Sequence, residues 1–148
     1  RWEGQLVDSD GKLVLEGRLS VSALLSNGGD QPIDPALMEL IAKVSDTFGG
    51  RKIRIVSGYR PGHRSKHAHG QALDFFIDGV PNWALRDYCQ TLGSVGVGYY
   101  PNSYHVHLDV RERLTTWVDL SRPGQRPRYV KPKRTARGKK SSAKRARR

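Results

Sequence analysis

The chain has 148 residues, a length suited to one compact domain that can bury a core without disulfide or metal staples. Its formal net charge of +12 is concentrated at one end: residues 1–121 hold 13 basic and 14 acidic side chains, whereas residues 122–148 hold 13 basic side chains and no acid. Basicity is thus a property of the tail and not of the fold, the single cysteine, Cys89, excludes an intrachain disulfide, and no run of about 20 apolar residues is present to cross a membrane as a helix.

In chain order, Trp2–Val7 and Leu13–Leu15 flank Asp8-Ser9-Asp10-Gly11, and the Asp-Gly pair predicts a hairpin over residues 2–18. Asp34-Pro35 reads as a helix N-cap followed by proline in the first turn. Leu37, Leu40, Ile41, Val44 and Phe48 then recur at helical spacing until Gly49-Gly50. Lys52–Val56 predicts a strand, Ser57–His69 a polar loop and Gln71–Ile77 a second strand. A helix is expected from about Pro81 to Leu92, with Trp83, Leu85 and Tyr88 on or near its buried face and Cys89 as a small buried thiol. Gly93–Tyr100 is a glycine-rich turn into a short strand, Tyr104–Val110 a strand of strict alternation, and Arg113–Leu120 a last helical turn or strand around Trp117.

This order gives short connections without regular β/α alternation, which predicts an α+β fold with a small, mostly antiparallel sheet flanked by helices. One domain is expected over residues 1–120. From Ser121 to Arg148 the composition is rich in Pro, Gly, Lys and Arg and lacks a hydrophobic pattern, so a disordered basic tail is expected there.

All five histidines fall between positions 63 and 107, in two groups: His63, His67 and His69, then His105 and His107. Alternation along the last clear strand puts Val106, Leu108 and Val110 on one face and His105, His107 and Asp109 on the other. Two imidazoles and a carboxylate on one face of an otherwise apolar strand are costly without partners, and a metal ion is one such partner. Upstream, a loop histidine and Asp74 in the preceding strand can converge on the same ion. Two imidazoles and one carboxylate suit zinc, at about 2.0–2.2 Å, and three protein ligands leave a fourth position for water. Such a metal would acidify the water and polarise a carbonyl. His105 would then be placed to act as base or to stabilise the oxyanion.

Blander readings compete. A histidine pair on a strand is commonly no metal site, Asp109 could cap a turn or pair with Arg111 or Arg113, and His63 reads as a solvated loop residue. His69 precedes the second strand as closely as His67 does, and spacing alone does not choose between them.

Three segments carry a resemblance to a known family. Ser65-Lys66-His67-Ala68-His69-Gly70-Gln71-Ala72-Leu73-Asp74 resembles the S-x-H-x-x-G-x-A-x-D motif of the M15 zinc D-Ala-D-Ala peptidases, and Ser57-Gly58-Tyr59-Arg60 resembles the S-G-Y-R segment before it. Gly96-Val97-Gly98-Tyr99-Tyr100-Pro101, Ser103 and His105-Val106-His107-Leu108-Asp109 resemble the closing segment with the last ligand. The pieces occur in family order between Ile53 and Val110. The resemblance implies a hedgehog/DD-peptidase type of fold, one zinc ion held by His67, Asp74 and His107, and catalytic roles for His105 and for Arg60, a substrate-gripping or carbonyl-polarising arginine. It implies action on peptidoglycan stem peptides or cross-links, with a D,D-endopeptidase favoured over a carboxypeptidase, in a periplasmic or secreted location. No signal-peptide pattern is visible in the chain itself. The chain departs from the family in two ways. The loop between Tyr59 and His67 is short, and Tyr104 stands three residues before the last ligand, where some relatives place an acidic base.

Two rival functions follow from the same residues. One is a catalytically silent protein that binds zinc and cell wall. The other is a polyanion- or nucleic-acid-binding module driven by the tail, whose 13 positive charges would attract nucleic acid, acidic wall polymers or an anionic membrane surface in a salt-dependent way. With Tyr129 as the tail's sole aromatic, a stacking platform for single strands is not expected, and nucleic acid ranks below the wall as a partner. The protein is expected to act as a monomer.

Overall fold

The computed structural model describes residues 1–62 and 64–130. The elements in order are α1 (Leu15–Leu25), α2 (Pro35–Thr47), β1 (Ile53–Ser57), a 3-10 turn (Lys66–His69), β2 (Ala72–Ile77), α3 (Asn82–Thr91), β3 (Val95–Tyr100), β4 (His105–Val110) and β5 (Thr115–Val118). The five strands form one sheet in the order β1-β2-β4-β3-β5. The pairings β1–β2, β2–β4 and β3–β4 are antiparallel, and β5 joins β3 in parallel, so the α+β class holds with a mixed but mostly antiparallel sheet.

The expected α2 forms as its caps dictate: the Asp34 carboxylate accepts from the Ala36 amide at 2.9 Å and Pro35 opens the first turn. The N-terminal hairpin is a correction. The turn at Asp8–Gly11 exists, with Asp8 Oδ1 accepting from the amides of Asp10 and Lys12, but the arms meet only at the isolated bridge Val7↔Leu13. From Leu15 the chain is helical, because Gly17, Val21 and Leu25 recur every four residues and form the buried stripe of α1. A count of large apolar residues overlooks Gly17, which lies against the backbone of Gln5 and Leu6. In α3 the buried positions are Leu85 and Cys89, while Trp83 is exposed, contrary to the expected buried face; two residues from Leu85 is the far side of a 3.6-residue turn.

Leu73 and Phe75 of β2 and Val106 and Leu108 of β4 pack with Leu85 and Leu37 of the helices into one core. Full burial of side chains this size stabilises by about 1.5–3 kcal/mol each. Alternation then delivers the other side chains of these strands to the opposite face of the sheet. There the cross-strand partners Asp74↔His107, Gly98↔His107 and Gly98↔Trp117 form one row across four strands, and Ala72↔Asp109, Gly96↔Asp109 and Gly96↔Thr115 form the next.

Beyond β5 the chain turns back. Asp119 is buried and its Oδ1 accepts from the amides of Ser121 and Arg128, while Asp119 and Tyr129 form an antiparallel bridge. Of the expected tail, Ser121 and Arg128–Val130 are therefore tied to the end of β5; residues 131–148 lie outside the described residues. Among the described residues, no helix is long and apolar enough to cross a membrane.

Candidate metal centre

His67, Asp74 and His107 reach one point from three elements. Asp74 and His107 are direct cross-strand partners, so their side chains emerge side by side from β2 and β4. His67 is brought over them by the 3-10 turn, which Ser65 caps by accepting from the His67 amide at 3.2 Å. The turn ends at Gly70, whose left-handed backbone (φ 64°) and close approach to the Pro32 carbonyl leave no room for a side chain. Gly70 in turn accepts from the Asp34 amide at 3.0 Å, and Gln71 donates to Asp34 Oδ2 at 2.7 Å. The N-terminus of α2 thus anchors the loop that carries His67.

His67 Nε2 lies 3.3 Å from His107 Nδ1 and 3.4 Å from Asp74 Oδ2, and His107 Nδ1 lies 2.8 Å from Asp74 Oδ1. All three side chains are buried, and one ligand atom from each falls within 4.8 Å of the others. The outer ring nitrogens face acceptors: His67 Nδ1 lies 2.7 Å from the Gly58 carbonyl and His107 Nε2 lies 3.0 Å from Asp109 Oδ2. Assigned from these partners, the protons sit on the outer nitrogens. The inner nitrogens then present lone pairs to each other and to a carboxylate. Such a donor set is repulsive by itself and fits a cation, with the outer acceptors orienting the ligands.

The electrostatics agree. Burial works against the charge of Asp74, but when the inner nitrogens of His107 and His67 carry a proton in place of a cation, their hydrogen bonds outweigh burial and hold the carboxyl well below the usual carboxylate range. Burial likewise opposes ionisation of Asp109, yet hydrogen bonds from His107 and Arg111 bring it to about 2. For His107, burial favours the neutral ring, whereas hydrogen bonds to Asp109 and Asp74 prevail and raise its pKa. A second proton on His107 Nδ1 and a cation at the centre would therefore compete for the same place.

The remaining candidates lie around this centre. His69, the rival to His67, is exposed and outside the group, and His63 lies outside the described residues. Arg60 is 58% exposed at its side chain, with Nη2 3.6 Å from Asp74 Oδ2, and its amide donates to the His67 carbonyl. His105 does not join the three ligands; its half-buried ring stacks on Tyr100 at 4.5 Å between centroids. Tyr104, at the position of an acidic base in some relatives, is exposed and has φ 56°. Asp109 does pair with Arg111, as one of the simpler readings had it, and also receives His107. Strand alternation signalled Asp109; nothing local signalled Trp117, whose ring lies 5.1 Å from that of His107.

Comparison with known proteins adds to this geometry. Residues 61–117 match the model of the family Peptidase_M15_2, described as peptidoglycan L,D-endopeptidase MepK, and this span includes His67, Asp74 and His107. Over this span the chain is similar to M15 peptidases. The chain is 34% identical over 92 residues to peptidoglycan L,D-endopeptidase MepK of Escherichia coli K12, covering 52% of this chain and 50% of that protein. It is 31% identical over 101 residues to the probable peptidoglycan L,D-endopeptidase MepK of Haemophilus influenzae, covering 57% and 54%. The chain thus spans about half the length of the curated relatives it matches. No solved structure matches it.

Proposed function

We propose that this domain is a zinc-dependent endopeptidase that hydrolyses peptide bonds in the stem peptides or cross-links of peptidoglycan, outside the cytoplasm. The observation that carries the reading is the convergence of His67 Nε2, Asp74 and His107 Nδ1, with both outer imidazole nitrogens turned to acceptors. These three residues would hold the ion. Bound there, zinc would supply Lewis acidity, acidifying a water and polarising a carbonyl.

The surrounding side chains have work of their own in this reading. His105 leaves β4 on the same side as His107 and stacks on Tyr100; it takes a proton from the attacking water and returns it to the leaving amine. Arg60, at the exposed rim beside Asp74, grips a substrate carboxylate or polarises the scissile carbonyl. The names of the relatives favour an L,D bond, where the family resemblance implied a D,D bond.

The test is release of new amines from purified sacculi, with chelator and after zinc add-back, followed by fragment masses. Chelator-sensitive cleavage restored by zinc supports the peptidase, and masses that map to an L,D or a D,D bond decide between the two. The departure at Tyr104 supports a second reading, a wall-binding protein without turnover. Muropeptide binding with one zinc per chain and no cleavage would favour it.

A further inference from the structure

Beyond the three candidate ligands, one cluster on the same face of the sheet is unusually constrained. Asp109 is 1% exposed and receives three hydrogen bonds: from His107 Nε2 at 3.0 Å, from Arg111 Nε at 2.6 Å and from Arg111 Nη2 at 2.9 Å. The Arg111 guanidinium lies over the Trp117 ring, 5.3 Å from its centroid, and that ring also contacts His107. The indole is itself fixed, because its Nε1 donates to the Tyr100 hydroxyl at 3.0 Å. Both seats are bare backbone on β3. A Cβ at Gly98 would stand 2.6 Å from the Trp117 ring, and one at Gly96 would run into the Asp109 carboxylate and the Arg111 guanidinium. The two glycines that weaken β3 as a strand are the places where these groups rest on it.

We propose that Trp117 and Arg111 are positioning residues that hold His107 in its metal-binding tautomer. The inference rests on the zinc reading of the centre and names what sets its affinity. Only when Nε2 keeps its proton does Nδ1 offer a lone pair to an ion, and Nε2 keeps it because Asp109 accepts it. A carboxylate free to rotate would lose that alignment. The Arg111 fork holds both Asp109 oxygens, and the Trp117 face holds the fork. Without the indole, Arg111 turns to solvent, Asp109 rotates, and the ring divides between its two tautomers. The apparent zinc affinity then falls because the ring loses its fixed orientation and the basicity its acceptor lends it, and because only a fraction of rings stays competent.

The experiment measures zinc affinity of the full chain by competition with a chromophoric chelator, and the His107 tautomer of the zinc-free protein by nitrogen-15 NMR. Wild type, Trp117→Leu, Trp117→Phe and Arg111→Met are compared. The expected result is a loss of about tenfold or more in zinc affinity for Trp117→Leu and Arg111→Met. The His107 signals should move towards a tautomer mixture, and Trp117→Phe, which keeps an aromatic face, should recover most of the affinity. If Trp117→Leu does not fold, Arg111→Met, at a half-buried position, carries the same comparison. Variants that bind zinc as tightly as wild type, with the Nε2–H tautomer unchanged, would overturn the proposal and leave the metal reading standing. A wild type that binds no zinc would overturn both.

Discussion

His107 Nε2 lies 3.0 Å from Asp109 Oδ2, two residues further along the same face of β4. The second residue therefore orients the first through a contact that strand periodicity alone creates. Replacing Asp109 by Asn keeps the volume but removes the charge and sets an amide against Arg111. Zinc affinity should fall about 10- to 100-fold, the usual cost of losing such an outer acceptor. Chelator competition on the purified variant checks this, and an unchanged dissociation constant would mean that His107 needs no carboxylate behind it.

His107→Ala removes a candidate ligand without opening the core, since the core lies on the other face of the sheet. Zinc stoichiometry and cleavage of sacculi should both fall to background while the far-ultraviolet circular dichroism keeps its folded shape. His69→Ala, at an exposed position outside the group, should leave both intact. Loss of zinc in the His69 variant instead would reverse the assignment made between the two loop histidines.

How far the sequence revealed this arrangement depended on distance along the chain. Asp34-Pro35 announced α2 because a cap is local chemistry, and the alternation from His105 to Asp109 placed two imidazoles and a carboxylate on one face because period two is local geometry. The N-terminal helix was read partly as strand because its buried stripe begins with Gly17, whose value lies in the backbone it touches. Trp117 was placed only as the centre of a last short element. Its seat over Gly98 follows from β5 joining β3 in parallel on the edge away from β4, a pairing that no local pattern encodes. For the same reason the glycine-rich turn into a strand expected over Gly93–Tyr100 carries no local sign of the side chains that lie on Gly96 and Gly98.

Asp34 joins two parts of the site's support: it caps α2 and holds Gln71, next to the Gly70 that ends the His67 turn. Asp34→Ala removes the cap and a side-chain hydrogen bond, at a combined cost of about 1–2 kcal/mol. Denaturant unfolding of the zinc-free protein should show the midpoint falling with the slope unchanged. A loss confined to zinc affinity, with no change in midpoint, would show that the link serves the loop and not the helix.

Zinc should also act as a stabilising ligand, because His67, Asp74 and His107 come together only in the folded chain. At free zinc about 100-fold above its dissociation constant, linkage adds about 2.7 kcal/mol. For a domain of this size that is a rise of about 5–10 °C in Tm. Differential scanning fluorimetry with and without chelator measures it, and His107→Ala should show no zinc-dependent rise.

Cys89 offers a test of the core that is independent of zinc. It is fully buried on α3, and burial pushes its thiol up to about 12, from an ordinary value of 9.0. The folded protein should therefore resist a thiol reagent at pH 8, whereas the denatured chain should react with one equivalent. The sign of the pH dependence follows from the raised value. Below pH 9 both states keep the proton and the thiol's contribution to stability is fully present. Between pH 9 and about 12 the unfolded chain loses the proton and the folded one keeps it, so that contribution is lost as pH rises, at up to about 1.4 kcal/mol per pH unit. Unfolding free energies of wild type and Cys89→Ala, measured from pH 8 to 11, should thus converge as pH rises. Parallel curves, or rapid modification of the native thiol, would place Cys89 nearer to solvent than the packing of α3 on β3 and β4 allows.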